Sequence, residues 1–105
     1  TGGFGEHKLS EIIKKIEVKT DYKISSTNNL AIEITKNGKP SGITTTISDW
    51  WAFILEGEKY QGEVIVMVKT DKLRGMLKEC TNVSGGYDSW GSSSIMLLPI
   101  TDLFK

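Results

Sequence analysis

Glu17 and Lys19 stand two residues apart in the stretch Ile16-Glu17-Val18-Lys19-Thr20-Asp21. In an extended chain, residues at that spacing project from the same face. A carboxylate so placed can hold a divalent cation while the neighbouring ammonium neutralises charge or orients a water, which is the chemistry of metal-dependent phosphodiester cleavage. The same Glu-x-Lys also serves as an ordinary surface pair on a half-solvated strand, and the residue types alone admit both uses. Ile16 and Val18 alternate with Glu17 and Lys19, the period-two pattern of a strand with one apolar and one polar face. The element that must position the pair is therefore a strand over residues 16–21. Asp21 shares the polar face by parity, either as a further acid behind Glu17 or as the cap of the loop that follows.

The chain around this strand has 105 residues, 38% of them hydrophobic and 25% charged, with a formal net charge of +0. That length suits a single domain over residues 1–105 with a modest core of its own. No global basic field announces a nucleic-acid partner, so such a partner must be held by a local patch. Residues 1–40 carry seven Lys against five acids, and residues 41–105 carry six Lys or Arg against eight acids, a slight basic lean on the half that contains Glu17 and Lys19. The single cysteine, Cys80, leaves neither an intramolecular disulfide nor a multi-cysteine zinc site, and one histidine, His7, cannot build a histidine cluster. There is no apolar run of the roughly 20 residues that span a bilayer and no signal-peptide pattern. The expectation is a cytoplasmic protein without a membrane partner.

Thr1 to Gly5 is glycine-rich, and residues 1–8 read as a leader or as the remnant of a longer N-terminus. Leu9, Ile12, Ile13 and Ile16 follow a helix-face spacing that Ser10 can cap, while a strand through Glu11-Ile12-Ile13 turning at Lys14-Lys15 is the alternative. Tyr22 to Asn28 reads as a polar loop, Asn29 to Thr35 as an alternating strand, and the cluster from Lys36 to Gly42 as a turn centred on Asn37-Gly38. Thr46 to Trp51 predicts a short helical turn capped by Thr46 or Ser48, leading into a strand from Trp51 to Leu55. Glu56 to Gly62 then makes a polar hairpin connection. The run Val64-Ile65-Val66-Met67-Val68 predicts a strand covered on both faces. Thr70-Asp71 is expected to cap a helix from Lys72 to about Cys80, with Leu73, Met76, Leu77 and Cys80 as its buried stripe. Thr81 to Ser94 reads as a glycine-rich loop and Ser94 to Ile100 as a closing strand, with Pro99 at its end or on a sheet edge. The order is strand-rich with one clear helix, giving an α+β or α/β class with a mixed β-sheet.

Taken in order, Ile16-Glu17-Val18-Lys19-Thr20-Asp21, Thr27-Asn28-Asn29-Leu30-Ala31-Ile32-Glu33, Lys39-Pro40-Ser41-Gly42-Ile43 and Asp49-Trp50-Trp51 resemble a phage-related group within the PD-(D/E)XK nuclease superfamily. Gly85-Gly86-Tyr87-Asp88 and Leu97-Leu98-Pro99-Ile100 extend the resemblance, which covers residues 16–100. It implies a restriction-endonuclease-like mixed β-sheet flanked by helices and an endonuclease acting on DNA. It further implies Mg²⁺ or Mn²⁺ held by Glu17 and the Val18 carbonyl, with Lys19 positioning or polarising the attacking water. Sites of this kind need a further carboxylate, normally Asp, upstream. No Asp precedes Asp21, which leaves Glu6 or Glu11. If the chain turns at Lys14-Lys15, strand parity sets Glu6 on the Glu17 face and Glu11 on the other, so Glu6 is the preferred third member. The missing Asp keeps open a second reading, a non-catalytic module of the same ancestry that binds nucleic acid or a protein. A homodimer also stays open, since cutting both strands of a duplex calls for two sites.

Other residues are candidates for lesser roles. Glu33 is placed near the active region by the resemblance, although a solvent-facing strand glutamate is the commoner case. Ser41 and Gly42 can bring backbone amides to a phosphate or simply make a turn. Trp50 and Trp51 are adjacent on a strand, so one packs inward and the other lies partly exposed. Tyr87 and Trp90 sit in a glycine-rich segment. Lys14, Lys15, Lys23, Lys36 and Lys39 are available to phosphates or to solvent.

Overall fold

The structure is a computed structural model that describes residues 15–80, 83–88 and 91–104, with the backbone course alone for 83–88 and Gly91. Two β-sheets share one core. The first is mixed and three-stranded, in the order β1-β4-β5, where β1 is Ile16–Asp21, β4 is Trp50–Leu55 and β5 is Val64–Lys69. Strand β1 runs parallel to β4, and β5 runs antiparallel to it. The second sheet has the order β3-β2-β7-β6, with β2 at Asn29–Lys36, β3 at Lys39–Pro40, β6 at Val83–Asp88 and β7 at Gly91–Pro99. Its pairings are all antiparallel. The class is α+β, as the sequence implies, with the strands divided between two sheets.

Alternation explains the core. Along β4, Trp51, Phe53 and Leu55 are buried, and in register with them lie Val68, Val66 and Val64 of β5. From the second sheet, Leu30, Ile32 and Leu98 join the same cluster. The helix α1 (Ile24–Thr27) contributes Ile24, the 3₁₀ turn η1 (Gly42–Thr44) contributes Ile43, and the helix α2 (Thr70–Leu77) contributes Leu73 and Leu77. Leu103 closes one end from the 3₁₀ segment η2 (Ile100–Phe104).

Several elements depart from the sequence expectations. Tyr22 to Asn28 is not all loop, because α1 forms one turn in which the Ser26 and Thr27 hydroxyls donate to Lys23 O at 3.1 and 3.0 Å. Asn28 then leaves the turn in the left-handed region at φ 57°. No helical turn occupies residues 46–51; the short turn is η1, four residues earlier, where Thr44 donates to Ile34 O at 2.8 Å. The helix α2 starts at Thr70 and ends at Leu77, and the Thr70 hydroxyl donates to Ser48 O at 2.7 Å instead of capping it. Most of residues 81–94 is a hairpin, with β6 paired to β7, since the register offered by β7 outweighs the poor intrinsic strand propensity of Gly85-Gly86. Pro99 marks the end of β7, which is an inner strand of its sheet. The Asn37-Gly38 turn forms as read, with φ 53° and 79° and Lys36 paired to Lys39. The alternatives for Leu9 to Lys14 lie outside the described residues. None of the described helices is long and apolar enough to cross a membrane.

Candidate functional site

Parallel pairing sets Glu17 opposite Trp51, Lys19 opposite Phe53 and Asp21 opposite Leu55. The polar side chains of β1 therefore emerge on the side of the sheet that carries the core, at its rim, because β1 is an edge strand. Glu17 is half-buried and Lys19 exposed. The Lys19 ammonium lies 5.6 Å from the centre of the Trp51 ring, a cation–π approach. Since Trp51 is the register partner of Glu17, the lysine leans back along the strand toward the row that holds the carboxylate. Among the described residues, Glu17 has no hydrogen-bond or ion-pair partner.

The backbone of β1 adds a further oxygen. Lys15 C=O accepts from Asp49 and Trp50 N–H groups, each at 3.2 Å, and Asp21 C=O accepts from Glu56 N–H at 2.9 Å. The odd-numbered carbonyls of this strand thus turn toward β4, and alternation turns the Val18 carbonyl to the open edge. No strand among the described residues pairs with that edge. The Glu17 carboxylate and the Val18 carbonyl are adjacent in sequence on this edge strand, and both are hard oxygen donors of the kind that suits Mg²⁺ or Mn²⁺. No cluster of three His, Cys, Asp or Glu side chains able to hold a metal occurs among the described residues. Glu6 and Glu11 lie outside them.

Asp21 takes the capping role. Its buried carboxylate accepts from Lys23 N–H and from Ala31 N–H, each at 3.0 Å, one oxygen per donor. The first bond starts α1, and the second ties the end of β1 to the open side of β2. Beyond this tie the two strands do not run alongside each other. Glu33 is not joined to Glu17. It accepts from the Ser41 hydroxyl at 2.7 Å, and Gly42 passes so close to its backbone that a Cβ would come within 2.2 Å of Glu33 O. The turn residues Ser41 and Gly42 thus seat η1 on β2.

Trp51 is buried and packs at 6.0 Å against Phe53, while Trp50 is half-buried beneath the Lys69 ammonium at 5.7 Å. Among the described residues the Trp51 Nε1 donor has no hydrogen-bond partner. Lys15 makes an exposed pair with Asp49 at 3.6 Å, Lys23 and Lys39 are exposed, and Lys36 is half-buried. Lys14 and Trp90 fall outside the described residues, as does the Tyr87 side chain.

Sequence reasoning missed Arg74, which donates through Nε to Ile43 O at 3.0 Å and through a terminal nitrogen to Thr46 O at 2.9 Å. It borders a polar groove with Thr46, Ser48, Asp49, Lys69 and Asp71. A long-range contact between a helix guanidinium and loop carbonyls leaves no local pattern that sequence spacing could report.

No family model, no curated protein and no solved structure matches this chain.

Proposed function

We propose that the chain is a restriction-endonuclease-like domain that hydrolyses phosphodiester bonds in DNA with the help of a divalent metal ion. The observation that carries this reading is the state of β1. Glu17 is half-buried with no protein partner among the described residues, Val18 turns its carbonyl to the open edge, and Lys19 leans toward the Glu17 row. Those are the three groups to which the sequence resemblance gives roles.

In this reading Glu17 and the Val18 carbonyl hold Mg²⁺ or Mn²⁺, with Glu6 or Glu11 as the further carboxylate. The ion, when bound, supplies Lewis-acid polarisation of a phosphate oxygen and a more acidic water. Lys19 would orient the attacking water and offset the negative charge that grows on the phosphate as the new P–O bond forms and the P–O bond to the sugar oxygen breaks, that oxygen leaving with a proton from solvent. Trp51 limits the directions open to the ammonium, which lowers the cost of holding it beside the reacting group.

The test is cleavage of plasmid, linear and branched DNA with Mg²⁺ or Mn²⁺ by the wild type, Glu17→Ala and Lys19→Ala, together with Mn²⁺ binding followed by electron paramagnetic resonance. Metal-dependent cutting lost in both variants, with Mn²⁺ binding lost in Glu17→Ala alone, supports the assignment. A folded wild type that neither cuts nor binds Mn²⁺ overturns it and leaves a binding module of the same ancestry as the reading to pursue. If cutting is found, Glu6→Ala against Glu11→Ala identifies the remaining ligand.

A further inference from the structure

Strand β5 contradicts the expectation of a strand covered on both faces. It is an edge strand, with Ile65 60% and Met67 38% exposed. Five consecutive apolar residues, Val64 to Val68, are bounded by Glu63 on one side and Lys69 on the other. No strand among the described residues pairs with its outer edge. An edge of this kind, apolar and without an internal charge, is a template for strand addition.

The hydrogen bonding shows which groups are on offer. Thr70 N–H donates to Asp49 O and Gly62 N–H to Leu55 O, both at 2.9 Å, so even-numbered residues of this strand address β4. Alternation then directs the N–H and C=O groups of Ile65, Met67 and Lys69 outward. A second β5 placed antiparallel and centred on Val66 sets Ile65 opposite Met67 of the other copy and Val64 opposite Val68. It also sets Glu63 opposite Lys69, twice, once at each end of the pairing. The outward-facing residues meet outward-facing residues, as an antiparallel ladder requires; Lys69 shares the face that carries Ile65 and Met67, and Glu63, the residue just before the strand, whose N–H donates to Tyr60 O at 2.9 Å, continues the same parity.

We infer that β5 is a self-association edge, and that two copies of the chain join through it into one continuous six-stranded sheet. The occupant is a second copy because the edge is complementary to itself: the register that pairs the apolar residues also pairs opposite charges. Beside the edge lies a groove of about 270 Å³ bordered by Trp50, Lys72, Leu103 and Phe104. Phe104 is 75% exposed there, and it gives an approaching strand an apolar flank. This inference is independent of the nuclease reading, because it involves neither Glu17 nor a metal.

The experiment is sedimentation velocity over a concentration series in EDTA, at low and high salt, on the wild type, Glu63→Lys, Lys69→Glu and the double variant Glu63→Lys/Lys69→Glu. Both substitutions are on exposed side chains, and circular dichroism confirms that each of the three variants is folded. The wild type is expected to form a dimer. Each single reversal turns two symmetric attractive pairs into repulsive ones and weakens association by about five- to fifty-fold. The double variant restores opposite charges across the dyad, and its dimer is expected to return to within a few-fold of wild type. A wild type that stays monomeric at every concentration overturns the inference. So does a dimer indifferent to the single reversals, or one that the double variant fails to rescue.

Discussion

Alanine at Gly42 should damage this fold far more than alanine at Gly38, although both glycines have left-handed backbone angles. Gly42 has φ +58° and Gly38 φ +79°. An L-residue in that region costs about 1–2 kcal/mol at either position. At Gly38 a Cβ meets nothing within 4 Å, so the cost ends there. At Gly42 the Cβ would stand 2.2 Å from Glu33 O and 2.9 Å from Glu33 C, and neither atom is the movable end of a side chain. The backbone of η1 must retreat from β2, which strains the Ser41–Glu33 and Thr44–Ile34 bonds and shifts Ile43, whose carbonyl holds Arg74. Overpacking of this kind adds about 1–3 kcal/mol, for a total of about 2–5 kcal/mol. In a domain of this size each kcal/mol moves Tm by about 4–8 °C, so the Tm of Gly42→Ala should fall by about 8–40 °C and that of Gly38→Ala by about 4–16 °C. Thermal and urea unfolding of the two variants in parallel would measure the gap. Equal losses, or a smaller loss at Gly42, would refute the close approach of η1 to β2.

Asp21→Ala leaves two backbone N–H groups without their acceptor and should cost about 2–4 kcal/mol in urea unfolding; Asp21→Asn, which keeps one acceptor oxygen, should lose about half as much. Metal-dependent cutting by folded Asp21→Asn should persist, and its complete loss would point to a direct role for this carboxylate. Glu17→Gln should change stability by less than about 0.5 kcal/mol and Lys19→Met, which loses the contact with the Trp51 ring, by less than about 1 kcal/mol, since neither side chain has a hydrogen bond among the described residues, while in the nuclease reading both abolish metal-dependent cutting. A large stability loss in either would show that the pair is structural.

The legible parts of this chain are those in which a local pattern and the tertiary answer coincide. Alternation placed β1, β2 and β4, and the Asn37-Gly38 pair placed the β2–β3 turn, because residue period and backbone preference are properties of a few adjacent residues. The division between Trp50 and Trp51 followed from the same alternation. The run at Val64 to Val68 failed for a physical reason: continuous apolarity marks a strand but does not say which faces are covered. An edge strand awaiting a partner and a buried inner strand carry the same residues. The Gly85-Gly86 segment failed in the opposite direction, since glycine signals a loop and only the ladder supplied by β7 makes it a strand. Asp21 was half legible, because an aspartate opening a polar segment caps its own backbone in many turns. Its second bond, to Ala31, depends on how β1 and β2 approach, which no spacing encodes. The same holds for Glu17 and Lys19: the sequence places them on one face, but the edge toward which the Val18 carbonyl turns, unpaired among the described residues, is a property of the sheet order.

Sheet order also connects the two proposals. β1 and β5 are the two edges of the same three-stranded sheet, one bearing Glu17 and Lys19 and the other an apolar, self-complementary run. An inner strand could serve neither purpose, because both of its backbone edges would be occupied. With β5 paired to a second β5 the strand order becomes β1-β4-β5-β5-β4-β1. A dyad perpendicular to that sheet keeps both Glu17 carboxylates on the same face. Five strand spacings of about 4.8 Å separate the two β1 strands by about 24 Å before twist is counted. In the nuclease reading, two sites so disposed would address both strands of one duplex, whereas a lone copy would reach one strand at a time. Glu63→Lys should therefore lower two-strand cutting of plasmid DNA relative to nicking at limiting protein concentration, and Glu63→Lys/Lys69→Glu should recover the wild-type ratio. Unchanged ratios in a variant shown to be monomeric would mean that the paired edges do not set how the two strands are cut.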